Sequence, residues 1–341
     1  MSSATSNTLS IARYQFTFRV TETLTLPEYA GSALRGAFGH SFRYFACVTK
    51  MKVCQDCPLL SQCPYSEVFS PHDVPRDSDQ LFRMQQIPVP YLIEAPDWGS
   101  RVYEIGDELK FNMVLIGGAI QHLPLIAFAW RRAFLRGIAK GDGKAELVQI
   151  DHVTQELEPQ SRLLTTIYRE EEPVLLHHGT QILLPFFEHA MDVHLVLETP
   201  LRIQKKKKIL GARDLDASIF LRNLIRRFSM LLQFHSQKNI QLDGTLLNQL
   251  ADRVTDERRL HWVEWSRYSS KQQQKMDLGG VMGHWYLQNV PTELLQLLYL
   301  GQWLHVGKET VFGLGGYKIV EDAWQPNRPT LNNIQHTSLI N

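Results

Sequence analysis

Cysteine is missing from almost the whole chain. Of 341 residues only four are cysteine, and Cys47, Cys54, Cys57 and Cys63 all fall inside one window of 17 residues. That excludes a disulfide framework spread over the fold. Long apolar runs are missing as well. The longest, "LPLIAFAW", is too short to span a bilayer and runs directly into Arg131 and Arg132. The N-terminal "MSSATSNTLS" has neither a basic start nor an apolar stretch, so it does not read as a signal peptide. The expected setting is cytoplasmic, with no membrane partner. Nor is there an excess of charge of one sign: 36 lysines and arginines stand against 35 aspartates and glutamates, for a formal net charge of +1. A globally basic nucleic-acid binder is excluded, and any such site has to be a local patch.

What is present is an ordinary folded composition, 44% hydrophobic and 21% charged, long enough for two domains. Residues 11–23 alternate as a strand does. "EYAGSALRGAFGHSFRYFA" has apolar residues at helical spacing. After the cysteine segment come two strand-like runs, "PVPYLIEAP" and "DELKFNMVLIGG", then the helix "LPLIAFAWRRAFLRGI" and the strand "KAELVQIDHVT". Residues 151–173 carry six acidic and two basic side chains without a long apolar pattern and read as an exposed connector. The order then begins again: strand "DVHLVLETPLRI", a long helix over 215–235, a hairpin within 260–290, the helix "TELLQLLYLGQWLHVG" and a last strand in "GLGGYKIV". Twice the chain reads βαββαβ, so the expected class is α+β with two tandem ferredoxin-like domains. The first covers 11–154 with a cysteine-rich insertion at 47–70. A connector at 155–190, a second domain at 191–320 and a tail at 321–341 complete the expected organisation.

Four local signals carry chemistry, and each has a bland reading beside it. The cysteines form C-x6-C-x2-C-x5-C. A C-x2-C turn supplies two soft ligands on one knuckle, and two further thiolates complete a structural zinc site. An iron–sulfur cluster uses the same four thiolates, and plain reduced thiols are the bland alternative. On the first helix Gly36, Gly39, His40 and Arg43 share the face opposite the apolar stripe, with Arg35 nearby. Two glycines there either leave a bare surface for a polyanion or pack against another element. Between 202 and 227 nine basic residues face two aspartates: Arg202, Lys205, Lys206, Lys207, Lys208, Arg213, Arg222, Arg226 and Arg227. This is either a solvated loop or a phosphate track continued along a helix by Arg222 and Arg226. In "HVGKETVFGLGGY" the glycines Gly307, Gly313 and Gly315 sit beside Lys308. The pattern is not a Walker loop, because no G-K-[ST] follows the last glycine. Its backbone amides suit either a phosphate or a tight structural turn.

The glycine loop before the last strand of a doubled ferredoxin-like chain resembles the RAMP superfamily. "RYSSKQQQKMDLGGVMG" followed by "LLYLGQWLHVGKETVFGLGGYKI" resembles the C-terminal domain of the CRISPR-associated endoribonucleases that process precursor repeat RNA. "LRGAFGHSFRYFACV…CQDCPLLSQCPY" is similar to the cysteine-bearing branch of that family. The resemblance implies cleavage of CRISPR repeat RNA without a catalytic metal, by 2′-hydroxyl attack that leaves 2′,3′-cyclic phosphate and 5′-hydroxyl ends. In relatives the catalytic histidine lies on or after the first helix, in some with a tyrosine and a lysine. His40 matches that place, with Tyr29 before it and Lys50 after; His305 is the second candidate, or a residue that packs the glycine loop. RNA contacts are expected from Arg35, Arg43, the lysine run, Arg222, Arg226, Gly307, Lys308, Gly313 and Gly315, with Arg267 and Tyr268 as base readers. Two other uses compete: a non-catalytic RAMP subunit that holds guide RNA in a CRISPR effector complex, and a zinc-stabilised scaffold with no RNA.

Overall fold

Strand alternation and helical spacing produce their elements where the sequence places them. The fold is that of a computed structural model, which describes residues 9–71, 87–96, 99, 101–138, 143–156, 162–172, 175, 182, 185–236, 242–269 and 274–320. The chain divides into two compact units, Met1–Ile182 with Met230–Asn239 and Leu183–Ser229 with Ile240–Asn341. Among the described residues no helix is long and apolar enough to cross a membrane.

The first unit contains β1 (Ile11–Val20), β2 (Leu24–Leu26), α1 (Gly31–Ala46), α2 (Pro64–Val68), β3 (Tyr91–Glu94), β4 (Arg101–Tyr103), β5 (Glu108–Ile116), α3 (Leu123–Leu135), β6 (Ala145–Glu156) and β7 (Arg162–Arg169). Its main sheet is antiparallel in the order β3-β5-β1-β6-β7. The first four of these strands form the ferredoxin-like arrangement, and β7 extends its edge. Here the structure corrects the expected connector at 155–190: residues 162–169 pair with β6 instead of crossing solvent. The acidic composition of 151–173 misled because an edge strand keeps one side in water and tolerates charge.

The core of this unit is aromatic. Phe16 stacks on Phe111 at 5.5 Å between centroids, and Phe18 on Phe134 at 3.9 Å. From the helices, Phe38 stacks on Trp130 at 5.0 Å, and the Trp130 Nε1–H donates to Met113 Sδ at 3.3 Å. Burying each such ring contributes about 1.5–3 kcal/mol, which is why α1 and α3 are clamped to the same sheet face.

The second unit contains β8 (Met191–Leu201), β9 (Gln204–Lys205), β10 (Lys208–Ile209), α4 (Ala217–His235, assigned to the first unit from Met230 on), α5 (Gly244–Ala251), β11 (Thr255–Val263), β12 (Ser266–Ser269), β13 (Gln274–Asp277), β14 (Gly280–Val290), α6 (Thr292–Leu304) and β15 (Tyr317–Val320). Its sheet runs β11-β14-β8-β15, again antiparallel and ferredoxin-like. Alternation along β14 buries Trp285 and Leu287 and leaves His284 exposed. The Asp243 side chain caps α5 by accepting from the Leu246 amide at 2.9 Å. The expected hairpin is β11 with β14, and β12 and β13 form a smaller ribbon at its end.

Candidate RNA-processing site

Two signals a hundred residues apart in sequence meet at Arg202. Its carbonyl accepts the Lys308 amide at 2.8 Å, and Arg202 and Gly307 form an isolated parallel bridge. Three residues further along, the lysine run begins. It was expected to be a loop between strand and helix. Instead β9 and β10 form a hairpin whose two turn residues, Lys206 and Lys207, have φ of 48° and 66°. Left-handed backbone at two successive lysines costs about 1–2 kcal/mol each, since a Cβ crowds the carbonyl there. Lys205, Lys206, Lys207 and Lys208 are all exposed, as is Lys308. The fold therefore concentrates five cations beside the glycine loop.

The glycines themselves are chiefly a close-packing device. Gly307, Gly313 and Gly315 have φ of 94°, 86° and 72°. A Cβ on Gly307 would meet the Arg202 carbonyl oxygen at 2.4 Å, and one on Gly315 would meet the Val306 oxygen at 1.8 Å. The loop amides are largely spent on protein acceptors. Gly313 donates to Thr310 O at 2.8 Å, Gly315 to Pro200 O at 3.1 Å and Gly316 to Thr199 Oγ1 at 2.8 Å. The phosphate-binding amides expected of this loop are thus engaged at Lys308, Gly313 and Gly315, and the exposed Lys308 side chain remains the loop's outward-facing charge. His305 sits behind it, 4% exposed, with Nδ1 3.3 Å from Leu314 O and its ring against Gly316. That is the packing role weighed against catalysis from sequence.

Of the arginine stripe on α4, Arg226 is left to solvent and has no partner among the described residues. Arg222 is held by Asp252, its Nε donating to Oδ1 at 3.2 Å and its Nη2 to Oδ2 at 2.5 Å. Hydrogen bonds from Ser218 and Arg222 keep the Asp252 carboxyl below the usual aspartate range. Arg227 Nε donates to Leu304 O at 2.6 Å and caps the C-terminal end of α6. Arg267 lies on β12 opposite Met276, with Tyr268 next to it opposite Lys275.

On α1 the structure separates residues that the sequence grouped. His40 is exposed. Tyr29 is 4% exposed, and burial first, then the Glu94 carboxylate, push its hydroxyl up. Nine residues of helix rise, about 14 Å, separate the start of α1 from His40, so Tyr29 does not share the histidine's surroundings. Gly39 does not present bare backbone: a Cβ there would fall 2.2 Å from Phe69 Cζ, whereas Gly36 is open. Arg35 lies 4.3 Å over the same Phe69 ring. Arg43 Nη2 donates to Met51 O at 2.6 Å and so braces the loop that carries Lys50, which is exposed with φ of 54°.

The four cysteines line one cavity of about 130 Å³, together with Met51 and Tyr65. Cys57 N–H donates to Cys54 O at 3.0 Å, the turn a C-x2-C knuckle needs, and Thr49 Oγ1 lies 3.3 Å from Cys57 Sγ. Thiolate donors and a shared cavity suit a four-cysteine ion. Among the described residues, however, no three acidic, histidine or cysteine side chains converge on one point. The fit is thus one of donor type and location, and not of ligand geometry.

The sequence reading missed one cluster. On the helix-free face of the second sheet His194 Nε2 lies 2.9 Å from His284 Nδ1, and the His194 ring stacks on Tyr286 at 4.1 Å. Period-two alternation already places His284 and Tyr286 on one face of β14. That His194 is their neighbour depends on strand register alone.

Residues 9–180 match a family model described as an N-terminal domain, and residues 195–317 match the CRISPR-associated endoribonuclease Cas6 family. No curated protein matches the chain. Among solved structures, a Cas6 product complex from Thermus thermophilus is 15% identical, with 91% of this chain and 99% of that chain covered and a TM-score of 0.54. A partial Cas6-RT-Cas1–Cas2 complex is 14% identical at a TM-score of 0.51; 92% of this chain is covered but only 46% of that longer chain. At these identities the likeness establishes the fold. The match to the CRISPR-associated endoribonuclease Cas6 family is carried by residues 195–317, beside an N-terminal domain over 9–180.

Proposed function

We propose that the chain cleaves precursor CRISPR repeat RNA by transesterification, with His40 moving the proton and without a catalytic metal. The supporting observation is the setting of His40. It is an exposed imidazole on a helix within residues 29–55, a stretch that has no carboxylate and holds Arg43, Lys50 and Lys52. Imidazole titrates near neutrality and suits proton transfer to or from ribose. The 2′-hydroxyl loses its proton and attacks the adjacent phosphorus. The bond to the 5′-oxygen breaks and that oxygen takes up a proton, so a cyclic phosphate and a 5′-hydroxyl remain. Lys50 supplies positive charge for the phosphorane-like transition state. Lys205, Lys206, Lys207, Lys208, Arg226 and Lys308 hold the RNA backbone.

Zinc held by Cys47, Cys54, Cys57 and Cys63 belongs to the same proposal, as a structural ion that fixes the Lys50 loop. The similar structures, a Cas6 product complex and a partial Cas6-RT-Cas1–Cas2 complex, support repeat RNA and CRISPR-complex subunits as the partners.

The test is a cleavage assay with end-labelled repeat RNA in excess EDTA, beside His40→Ala and His305→Ala. The expected result is a cyclic-phosphate product that His40→Ala abolishes with RNA binding intact. Wild-type protein that binds the repeat tightly and leaves it whole would replace this reading with that of a guide-RNA-holding subunit.

A further inference from the structure

One turn beyond His40 the surface of the first unit turns aromatic. Tyr44 is 59% exposed, Phe45 42% and Phe128 56%. They form one cluster contributed by α1 and α3: Tyr44 meets Phe45 edge-on at 5.3 Å, and Phe45 lies 6.4 Å from Phe128. Core packing does not account for them, because the buried stripes of both helices are filled by other residues, among them Phe38, Phe42, Trp130 and Phe134. The Arg132 guanidinium lies 3.8 Å over the Tyr44 ring, and Arg131 is exposed on the next position of α3.

The two helices that bear the cluster carry charge of one sign. Neither α1 nor α3 contains an aspartate or glutamate, and residues 47–53 add Lys50 and Lys52 without an acid. A protein interface of this apolar content has no need to exclude carboxylates from two helices. A polyanion with flat apolar faces does need it, since its phosphates seek the cations while its bases seek the rings.

We propose that Tyr44, Phe45 and Phe128, flanked by Arg131 and Arg132, form a stacking platform for unpaired RNA bases next to His40. This inference rests on the RNA-processing reading and adds to it the place where nucleotides beside the cleaved bond are held. His40 and Tyr44 are four residues apart on one helix and therefore share a face. A base stacked on Tyr44 would set its own phosphate within reach of the imidazole. Specificity follows from the same arrangement: the platform takes single-stranded nucleotides, because paired bases do not offer their faces.

The experiment uses the full chain and two fluorescein-labelled probes of equal length, an oligouridylate and its abasic ribose-phosphate counterpart. Affinity is read by fluorescence anisotropy for wild type, Tyr44→Ala, Phe128→Ala, Tyr44→Phe and Phe128→Tyr. The rings are exposed, so unchanged urea midpoints will show that the truncated variants fold. Each alanine variant should bind oligouridylate about tenfold more weakly and the abasic strand as wild type does. The two aromatic replacements should bind oligouridylate as wild type does. Wild-type protein that binds oligouridylate and loses nothing in the alanine variants overturns the platform alone and leaves the RNA-processing reading standing. The platform is equally overturned if the alanine variants change only self-association, measured by light scattering, since the patch is then a protein interface. Failure of wild type to bind either probe or the repeat RNA overturns both.

Discussion

The amide of Lys308 donates to the carbonyl of Arg202 across 2.8 Å. With the bonds from Gly315 to Pro200 O and from Gly316 to Thr199 Oγ1, it joins the glycine loop to the strand end from which the lysine hairpin departs.

The glycines beside it are held by geometry. Alanine at Gly315 would have to place its Cβ 1.8 Å from the Val306 oxygen at a φ of 72°. Gly315→Ala is expected to cost about 2 kcal/mol or more, read from urea unfolding. RNA affinity should fall with it, because Lys308 and the hairpin lose their common anchor. An unchanged midpoint would mean that the loop is not packed as described.

The lysine turn should show the opposite trade. Lys206 and Lys207 occupy left-handed backbone that Asn-Gly adopts more readily. Exchanging Lys206→Asn and Lys207→Gly together is expected to raise stability by about 1 kcal/mol and to weaken RNA binding. For a single strand, two lost phosphate contacts reduce the slope of log K against log salt by about 1.4. A salt titration at two or more ionic strengths checks this.

The two glycines of α1 should respond with opposite signs. Gly39 lies under Phe69, so Gly39→Ala is expected to destabilise by about 1–3 kcal/mol. Gly36 has nothing within 4 Å of a new Cβ, and Gly36→Ala should stabilise by up to about 1 kcal/mol. Thermal midpoints of the two variants distinguish them directly.

Arg222 and Arg226 should differ as RNA contacts although they are one turn apart. Arg226→Ala should weaken RNA binding and lower the salt slope, whereas Arg222→Ala should do little, because Asp252 already neutralises it. The pair is exposed, so its effect on stability is small. The Asp252 carboxyl is depressed in the folded state. Its contribution is therefore present above the ordinary aspartate value near 3.9 and is lost as pH falls through the folded-state value. Replacing Asp252→Asn should remove that part of the acid sensitivity and increase RNA affinity at neutral pH.

Metal analysis of protein purified without chelator should find about one zinc per chain, and Cys54→Ser should lose it. Chelation should loosen the segment around 47–68, seen as new protease cleavage there, while the rest of the first unit keeps its fold. Protein free of metal that resists protease in that segment would return the cysteines to the reduced-thiol reading.

Local pattern was enough to place most elements of both units. The alternation of 11–20 and the helical spacing of 31–46 are properties of short stretches, and each appears where it was expected. The doubled βαββαβ order was legible for the same reason. Strand β7 was not, because an edge strand with water on one side has the composition of a connector.

The site was legible in its residue types and not in their environments. Helical spacing put His40, Gly36 and Gly39 on one face of α1, but whether that face met solvent or Phe69 depended on where α2 ends and the chain after it folds back. Tyr29 and His305 looked as available as His40 until packing buried them.

What the sequence determined by itself was the doubled fold, the cysteine cluster and the inventory of basic and glycine-rich segments, since each is written in neighbouring residues. Only the tertiary structure decided which cations remain exposed. Arg222, Arg227 and the loop amides are engaged by partners 30, 77 and up to 117 residues away in the chain. No local pattern encodes such pairings, because closing a long loop depends on everything that folds between its ends. The same holds for the exposed aromatic cluster, where Phe45 and Phe128 meet only because α1 and α3 are clamped to one face of the same sheet.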